Sequence, residues 1–543
     1  MFVLGCRVFQ LIFNYGARVL PWRKAIPVEG PGSIGKIPEL LREKNVKRPL
    51  LITDNGLVKT GIAARLIDVL TKAEIPYVMF SDVEPNPSVN TVNKIQELYL
   101  AESCDGFIAL GGGSPMDAAK GAAARVVRPR RTVNKLGGLL KVLKKIPPFI
   151  AIPTTAGTGS ETTIAAVITD TETRHKYAIM DLSLIPHYAI LDPELTQSLP
   201  PALSATTGMD ALTHAVEAYL CWTYNTKESI QAALDAVKII FANLEKVYAD
   251  GNNIEARQAM LLASYKAGFA FTRTSVGNIH AIAHTLSGLY NTPHGLANAI
   301  ILPVVLENYG KKVHRKLARL AEAAGLVAGG KTSAVKARIF IDAIYAMNER
   351  MGIPKGFYFI KSKDIPQMIK WAGRECNPLY PVPVIYNKKR FGQVIESLRL
   401  SEEHTSYHIS EACIGCTACA KVCPVFAITG KKDAMHIVNE KRCVQCGVCG
   451  RVCPKGAIID NTGKANVPVK RTEWPKPLIN KDVCSACSIC VNDCTPGALR
   501  ISLPTFKGDI EVYAELAQSK KCVGCAICES HCPMKAIRME AAK

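Results

Sequence analysis

Three regimes of hydrophobic patterning succeed one another along the chain. Between residues 28 and 198 short apolar runs alternate with stretches of helical period. Pro49–Thr53, Gly106–Leu110 and Phe149–Pro153 are apolar at successive positions, as strands buried on both faces are. Thr91–Glu102 and Pro115–Arg125 carry the helical period between them. This alternation predicts an α/β, doubly wound domain over 28–198. From 199 to 403 the strand-like runs fade and long helical patterns such as Met209–Tyr219 and Ser229–Tyr248 dominate, predicting an all-helical domain. Before residue 28, Phe2, Phe9, Ile12, Phe13 and Leu20 mark a helical extension that ends at Pro21. Packing of these side chains against the chain's own body is expected. The alternative is an anionic membrane surface, which Arg7, Arg18, Arg23 and Lys24 would suit.

Near residue 404 the pattern changes to a fourfold repeat. Each copy reads Cys-x2-Cys-x2-Cys-x3-Cys, then a small turn, then Ala427-Ile428, Ala457-Ile458, Ala498-Leu499 or Ala536-Ile537. The first two copies occupy 404–462 and the last two 481–543. Between them, 463–480 holds Pro468, Pro475 and Pro477 and reads as a linker.

Composition narrows the class. Of 543 residues, 48% are hydrophobic and 21% charged, which excludes disorder or a bundle of membrane spans as the main content. Lys and Arg exceed Asp and Glu by 67 to 46, a net charge of +21. The basic residues are scattered, so no nucleic-acid partner is expected. The exception is Arg125–Lys145, with eight Lys/Arg and no acid. It reads as a solvated loop and helix, or else as a docking face for an acidic partner.

Cysteine changes the picture most. Sixteen of the twenty cysteines lie between Cys413 and Cys532, while Cys6, Cys104, Cys221 and Cys376 are scattered and expected to be buried, inert thiols. The apolar opening carries internal arginines and no evident cleavage site, so a cytoplasmic location is expected and metal is favoured over disulfides. The four sets are Cys413, Cys416, Cys419, Cys423; Cys443, Cys446, Cys449, Cys453; Cys484, Cys487, Cys490, Cys494; and Cys522, Cys525, Cys528, Cys532. Zinc sites use two pairs of cysteines; runs of four ending in Cys-Pro suit [4Fe-4S] clusters. The region resembles bacterial two-cluster ferredoxins, twice over. That resemblance implies two small α+β modules and crossed ligation. Cys413, Cys416 and Cys419 would share a cluster with Cys453, and Cys443, Cys446 and Cys449 one with Cys423. Cys484, Cys487 and Cys490 would pair with Cys532, and Cys522, Cys525 and Cys528 with Cys494. Cys494 departs in preceding Thr495-Pro496 rather than proline directly. Four oxidised clusters would lower the net charge by about eight.

Two further constellations lie upstream. Gly111-Gly112-Gly113-Ser114-Pro115 follows an apolar strand and opens a helix, whose terminal amides can receive a pyrophosphate. Pro153-Thr154-Thr155-Ala156-Gly157-Thr158-Gly159-Ser160 follows another strand, and Asp54 follows a third, where a carboxylate can accept from a ribose diol and repel a 2′-phosphate. Asp210 and His214 stand four apart on one helical face, as do His280 and His284, with His294 ten residues on. One carboxylate with imidazoles suits Fe(II) or Zn(II).

GGGSPMDAAK, IPTTAGTGSE, GMDALTHAVEAY and HAIAHTLSGLYNTPHGLANAI together resemble the iron-containing (group III) alcohol dehydrogenases over about residues 28–400. The resemblance implies metal ligands at Asp210, His214, His280 and His294, with His284 as a catalytic non-ligand. It implies NAD contacts at Asp54, Asn86, Gly112, Gly113, Ser114, Asp117, Thr154, Thr155, Thr158 and Lys176. The expected activity is metal-assisted hydride transfer between an alcohol and NAD(H), giving an aldehyde, in a homo-oligomer. The cysteine modules would add a four-cluster relay serving a flavoprotein or ferredoxin-linked partner. The alternative is an electron-transfer subunit whose dehydrogenase-like half is a docking scaffold. Hydride carries two electrons and each cluster accepts one, and the sequence carries no flavin signature to split them.

Overall fold

Six short parallel strands build the main sheet, in the order Ile26–Glu29, Tyr188–Leu191, Phe149–Pro153, Gly106–Gly111, Pro49–Ile52, Val78–Phe80. Every residue of the four strands from Tyr188–Leu191 to Pro49–Ile52 in that order is buried, because helices and apolar side chains cover both faces. The computed structural model describes residues 2–170, 175–327, 329–400, 407–440, 442–460, 464–504 and 512–541, with the side chains of His175 and Lys176 outside the described residues. The chain divides after Leu400 into two units.

Within the first unit the register aligns Gly111 with Pro153, so the two loops expected to hold a dinucleotide leave the sheet side by side. Thr154 N–H donates to Gly111 O at 3.0 Å and couples them. A smaller sheet joins Gly138–Leu139, Ala165–Asp170 and His175–Met180, which no alternating pattern marks. In the basic segment, Arg125 donates to Pro129 O at 3.0 Å, Arg128 to Val142 O at 2.5 Å and Arg131 to Lys141 O at 2.9 Å. Those guanidinium groups thus hold their own loop.

The helical part is built on Pro201–Leu220, Lys227–Ala249, Ile254–Thr274, Asn278–Tyr290 and His294–Tyr309, with later helices closing one apolar core. Local signals set the starts. Thr226 and Ser229 form a reciprocal cap, and Asn253 accepts from Ala256 N–H. Glycines set the crossings. A Cβ at Gly268 would lie 2.7 Å from Gly159 O, so the hydroxyl-rich loop packs directly on a helix backbone.

The N-terminal helix, Phe2–Arg18, reverses the expected orientation. Its polar side faces the body. Gln10 is fully buried and donates to Pro378 O and Tyr380 O, Arg7 to Pro383 O, and Asn14 to Thr223 Oγ1. Phe2, Phe9 and Ile12 are instead 54%, 41% and 69% exposed. Carbonyl groups around Pro378–Pro383 need donors, and the polar residues of this helix supply them. Phe13 follows the expectation, packing on Tyr224 at 5.3 Å.

In the second unit the four cysteine loops repeat one backbone shape. The residues on either side of each second cysteine have positive φ: Gly415 and Thr417, Gln445 and Gly447, Ala486 and Ser488, Gly524 and Ala526. A short helix follows each loop. The recurring Ala of each tail donates its N–H to the fourth cysteine, from Ala427, Ala457 and Ala498 at 3.2 Å and from Ala536 at 3.3 Å. Cys494 keeps this bond despite Thr495. Paired short strands complete each half, His408–Ile409 with Ile458–Ile459 and Lys476–Ile479 with Ile537–Glu540. The stretch expected to be a linker therefore contributes a strand from Lys476 onward.

Candidate functional site

The donor atoms of Asp210, His214, His280 and His294 lie within 4.8 Å of one another, and all but His294 are buried. Three helices deliver them: Pro201–Leu220 gives the first pair, Asn278–Tyr290 gives His280, and His294 opens His294–Tyr309. Gly295 sets the approach of the first and third helices, for a Cβ there would run into Thr206 O. The His214 ring stacks between Phe271 at 4.2 Å and His280 at 4.6 Å, which fixes its plane. A buried carboxylate with three imidazoles suits one divalent cation such as Fe(II) or Zn(II).

Three residues that sequence reasoning missed complete this centre. Glu217 lies 2.6 Å from His280 Nδ1 and accepts from Gly277 N–H and Ile279 N–H at 2.8 Å. With Nδ1 so engaged, His280 presents Nε2 to a cation. Burial pushes the Glu217 carboxyl up to about 8, against the amide donors that favour its charged form. Burial also holds His280 well below the usual histidine range, so its ring is neutral and able to ligate. Asn298 donates from Nδ2 to Asp210 Oδ1 at 2.7 Å and lies 3.1 Å from Nε2 of both His280 and His294. His284 stands beside the centre, stacked on His294 at 5.1 Å and half-exposed. Its Nδ1 lies 2.6 Å from Glu375 Oε1, which also accepts from Tyr380 Oη at 2.9 Å. Glu217 and Asn298 were recoverable from helical spacing, three and four residues after His214 and His294. Glu375 has no local signal, being 91 residues from its partner.

At the C-terminal ends of the two central strands, Gly112 and Gly113 lie where a Cβ would meet Thr155 Oγ1 at 3.3 Å and Thr158 Cγ2 at 3.2 Å. Ser114 Oγ accepts from Asn86 N–H at 3.2 Å. Asp54 caps the helix Asn55–Lys59 by accepting from Leu57 N–H at 3.0 Å and remains half-exposed. Asp117 is tied inward, accepting from Ser160 Oγ at 2.9 Å and Val167 N–H at 3.1 Å. Burial pushes its carboxyl up to about 6, although nearby Lys120 pulls the other way. Lys120, also missed in sequence, is fully buried and donates to Ser160, Thr163 and Ala165, knitting the hydroxyl-rich loop to the helix Gly113–Val127. The Lys176 side chain, expected to touch NAD, lies outside the described residues.

The cysteines converge as crossed sets. One cavity is lined by Cys413, Cys416, Cys419 and Cys453, a second by Cys423, Cys443, Cys446 and Cys449, and a third by Cys484, Cys487, Cys490 and Cys532. Cys494 lies near Cys522, Cys525 and Cys528; burial first, and then these neighbouring thiols, push the Cys528 thiol up to about 12. Each of the three cavities thus takes three cysteines from one motif and one from the other motif of its module, the crossed arrangement that suits a polynuclear cluster. His436, unmarked in sequence, is buried against the first cavity with Nε2 unpartnered.

Comparison with known proteins agrees with this division. Residues 27–193 match the family described as iron-containing alcohol dehydrogenase, residues 204–398 its C-terminal domain, and residues 412–457 the 4Fe-4S dicluster domain. The 1,3-propanediol dehydrogenase of Citrobacter freundii is 36% identical over 369 residues, 67% of this chain and 95% of that protein. The structure of a 1,3-propanediol oxidoreductase superposes with a TM-score of 0.67 at 34% identity, covering 70% of this chain and all of that one. Sulfoacetaldehyde reductase from Bifidobacterium kashiwanohense, in complex with NAD+, gives 0.62 at 29%, covering 70% and 98%.

Proposed function

Because the chain belongs to the iron-containing alcohol dehydrogenase family and carries a 4Fe-4S dicluster domain behind it, we propose that it interconverts an alcohol and its aldehyde with NAD(H) at the Asp210–His294 centre, and that residues 407–541 hold a four-cluster electron relay. The convergence of four donor atoms within 4.8 Å, beside His284, carries the first part. Fe(II) or Zn(II) in this centre supplies a Lewis acid and NAD a hydride acceptor.

The chain's own groups do the rest. Glu217 orients His280 through Nδ1, and Asn298 holds Asp210 through Nδ2. His284 is half-exposed beside the centre with Glu375 at its Nδ1, so its ring can relay the proton of the alcohol while the carboxylate steadies the cationic form. The glycine loop at Gly112–Gly113 would let the cofactor's phosphates approach backbone amides, and Asp54 is the carboxylate that would accept from its ribose. The complete donor set argues against a half that merely scaffolds.

The test is a panel of alcohols and aldehydes assayed anaerobically with NAD(H), alongside metal and sulphide analysis. His280→Ala is expected to abolish turnover and dehydrogenase-site metal while leaving cysteine-bound iron unchanged. Unaltered turnover in that variant would remove His280 from the site.

A further inference from the structure

We propose that the two cysteine modules are joined into one electron path of fixed order. It runs from the Cys416 set through the adjoining Cys446 and Cys525 sets to the Cys487 set, and Arg451, Trp474 and Gly524 hold its midpoint together. The inference rests on the four-cluster reading above and adds an order to it.

The midpoint is a built junction. Cys446 and Cys525, from different modules, both pack on the buried cluster of Val448, Trp474 and Val523. Both also line one surface cleft. The connecting segment clamps the modules together. Val469 N–H donates to Arg451 O at 2.9 Å and Trp474 Nε1–H to Val469 O at 3.1 Å. Arg451 reaches across to Gly524 O at 3.0 Å, and Lys476 donates to Cys522 O at 2.9 Å. Gly524 has φ of +68°, and a Cβ there would lie 2.8 Å from Pro475 O and 3.1 Å from Arg451 Nη1. The approach therefore needs glycine for both shape and space.

The ends are distinguished by exposure. Of the sixteen motif cysteines only Cys416 and Cys487 are exposed. Each belongs to the set of its module that has no part in the junction. Electron tunnelling falls steeply with distance, so adjoining inner sets and solvent-facing outer sets define a line with two termini. One electron from a reduced flavoprotein or ferredoxin enters at one terminus, and one leaves to an oxidised protein of that class at the other. No bond or proton changes hands.

The test uses the full chain, purified anaerobically and reduced with dithionite. Iron and sulphide are counted first; about sixteen of each supports four clusters. Cys416→Ser/Cys487→Ser disables both outer sets. Its spectrum should show spin–spin coupling between the two remaining clusters, with split lines and a half-field signal. Cys446→Ser/Cys525→Ser leaves the outer pair, which should give two uncoupled signals. Gly524→Val keeps every cysteine and should lose the coupling that crosses the junction at unchanged iron content. An uncoupled inner pair at full occupancy, or coupling unchanged in Gly524→Val, would overturn the order while leaving the four clusters standing. An iron count near half in the unmutated chain would instead sink the four-cluster reading, and the path with it.

Discussion

Glu217 touches no substrate position, yet it decides which nitrogen His280 offers. Replacing it by Gln keeps the shape but turns one of its two oxygens into a donor facing Gly277 N–H or Ile279 N–H, which disturbs the oxygen that engages Nδ1. Glu217→Gln is expected to lower affinity for the dehydrogenase metal about 10–100-fold, read by competition with a chelator, with the fold retained. Asp54 has two separable duties. Glycine also serves as a helix cap, so Asp54→Gly should cost only a few tenths of a kcal/mol in stability while relaxing a preference for NAD over NADP. Relative kcat/KM for the two cofactors measures this. Glu161 is 1% exposed with Oε1 unpartnered, and burial pushes its carboxyl from 4.5 up to about 7. The folded state thus binds a proton that the unfolded chain releases. Its stabilising share is full below pH 4.5 and is lost as pH rises through about 7. Glu161→Gln should raise the melting temperature at pH 8 and leave it nearly unchanged at pH 4.5.

At the scale of elements, legibility follows distance along the chain. The buried strands at Pro49, Gly106 and Phe149 are visible in sequence because runs of consecutive apolar residues need cover on both faces. The pairs Asp210–His214 and His280–His284 are visible because one helical turn brings them together. Gly295 sits inside a legible motif, but its role is hidden there, since it depends on Thr206 O of another helix. The N-terminal helix turns the opposite way from its pattern, because apolar spacing names a face but not the carbonyls that recruit Gln10 and Arg7 to the other. Gly295 supplies the element-scale prediction. Gly295→Ala must push a pair of helix backbones apart and carry His294 away from Asp210. Metal affinity should fall at least about tenfold, with a stability loss of about 1–3 kcal/mol, measured by metal titration and thermal unfolding.

On the scale of the whole molecule, the chain divides after Leu400, and every residue assigned to hydride transfer precedes that point. Residues 1–400 alone are therefore expected to fold and to retain NAD-linked turnover within about threefold of the full chain, with none of the cluster absorbance. A folded but inert truncate would mean that the cysteine unit shapes the dehydrogenase. The exposure of Cys416 and Cys487 also dictates how the protein wears out. Air reaches sulfur first where solvent does, and oxidation climbs from sulfenic toward sulfonic acid from there. Damage would thus start at the two extremities, leaving the covered centre intact but cut off. A sample exposed to air should go silent toward its electron partners well before it loses half its iron, so bleaching alone would understate its age.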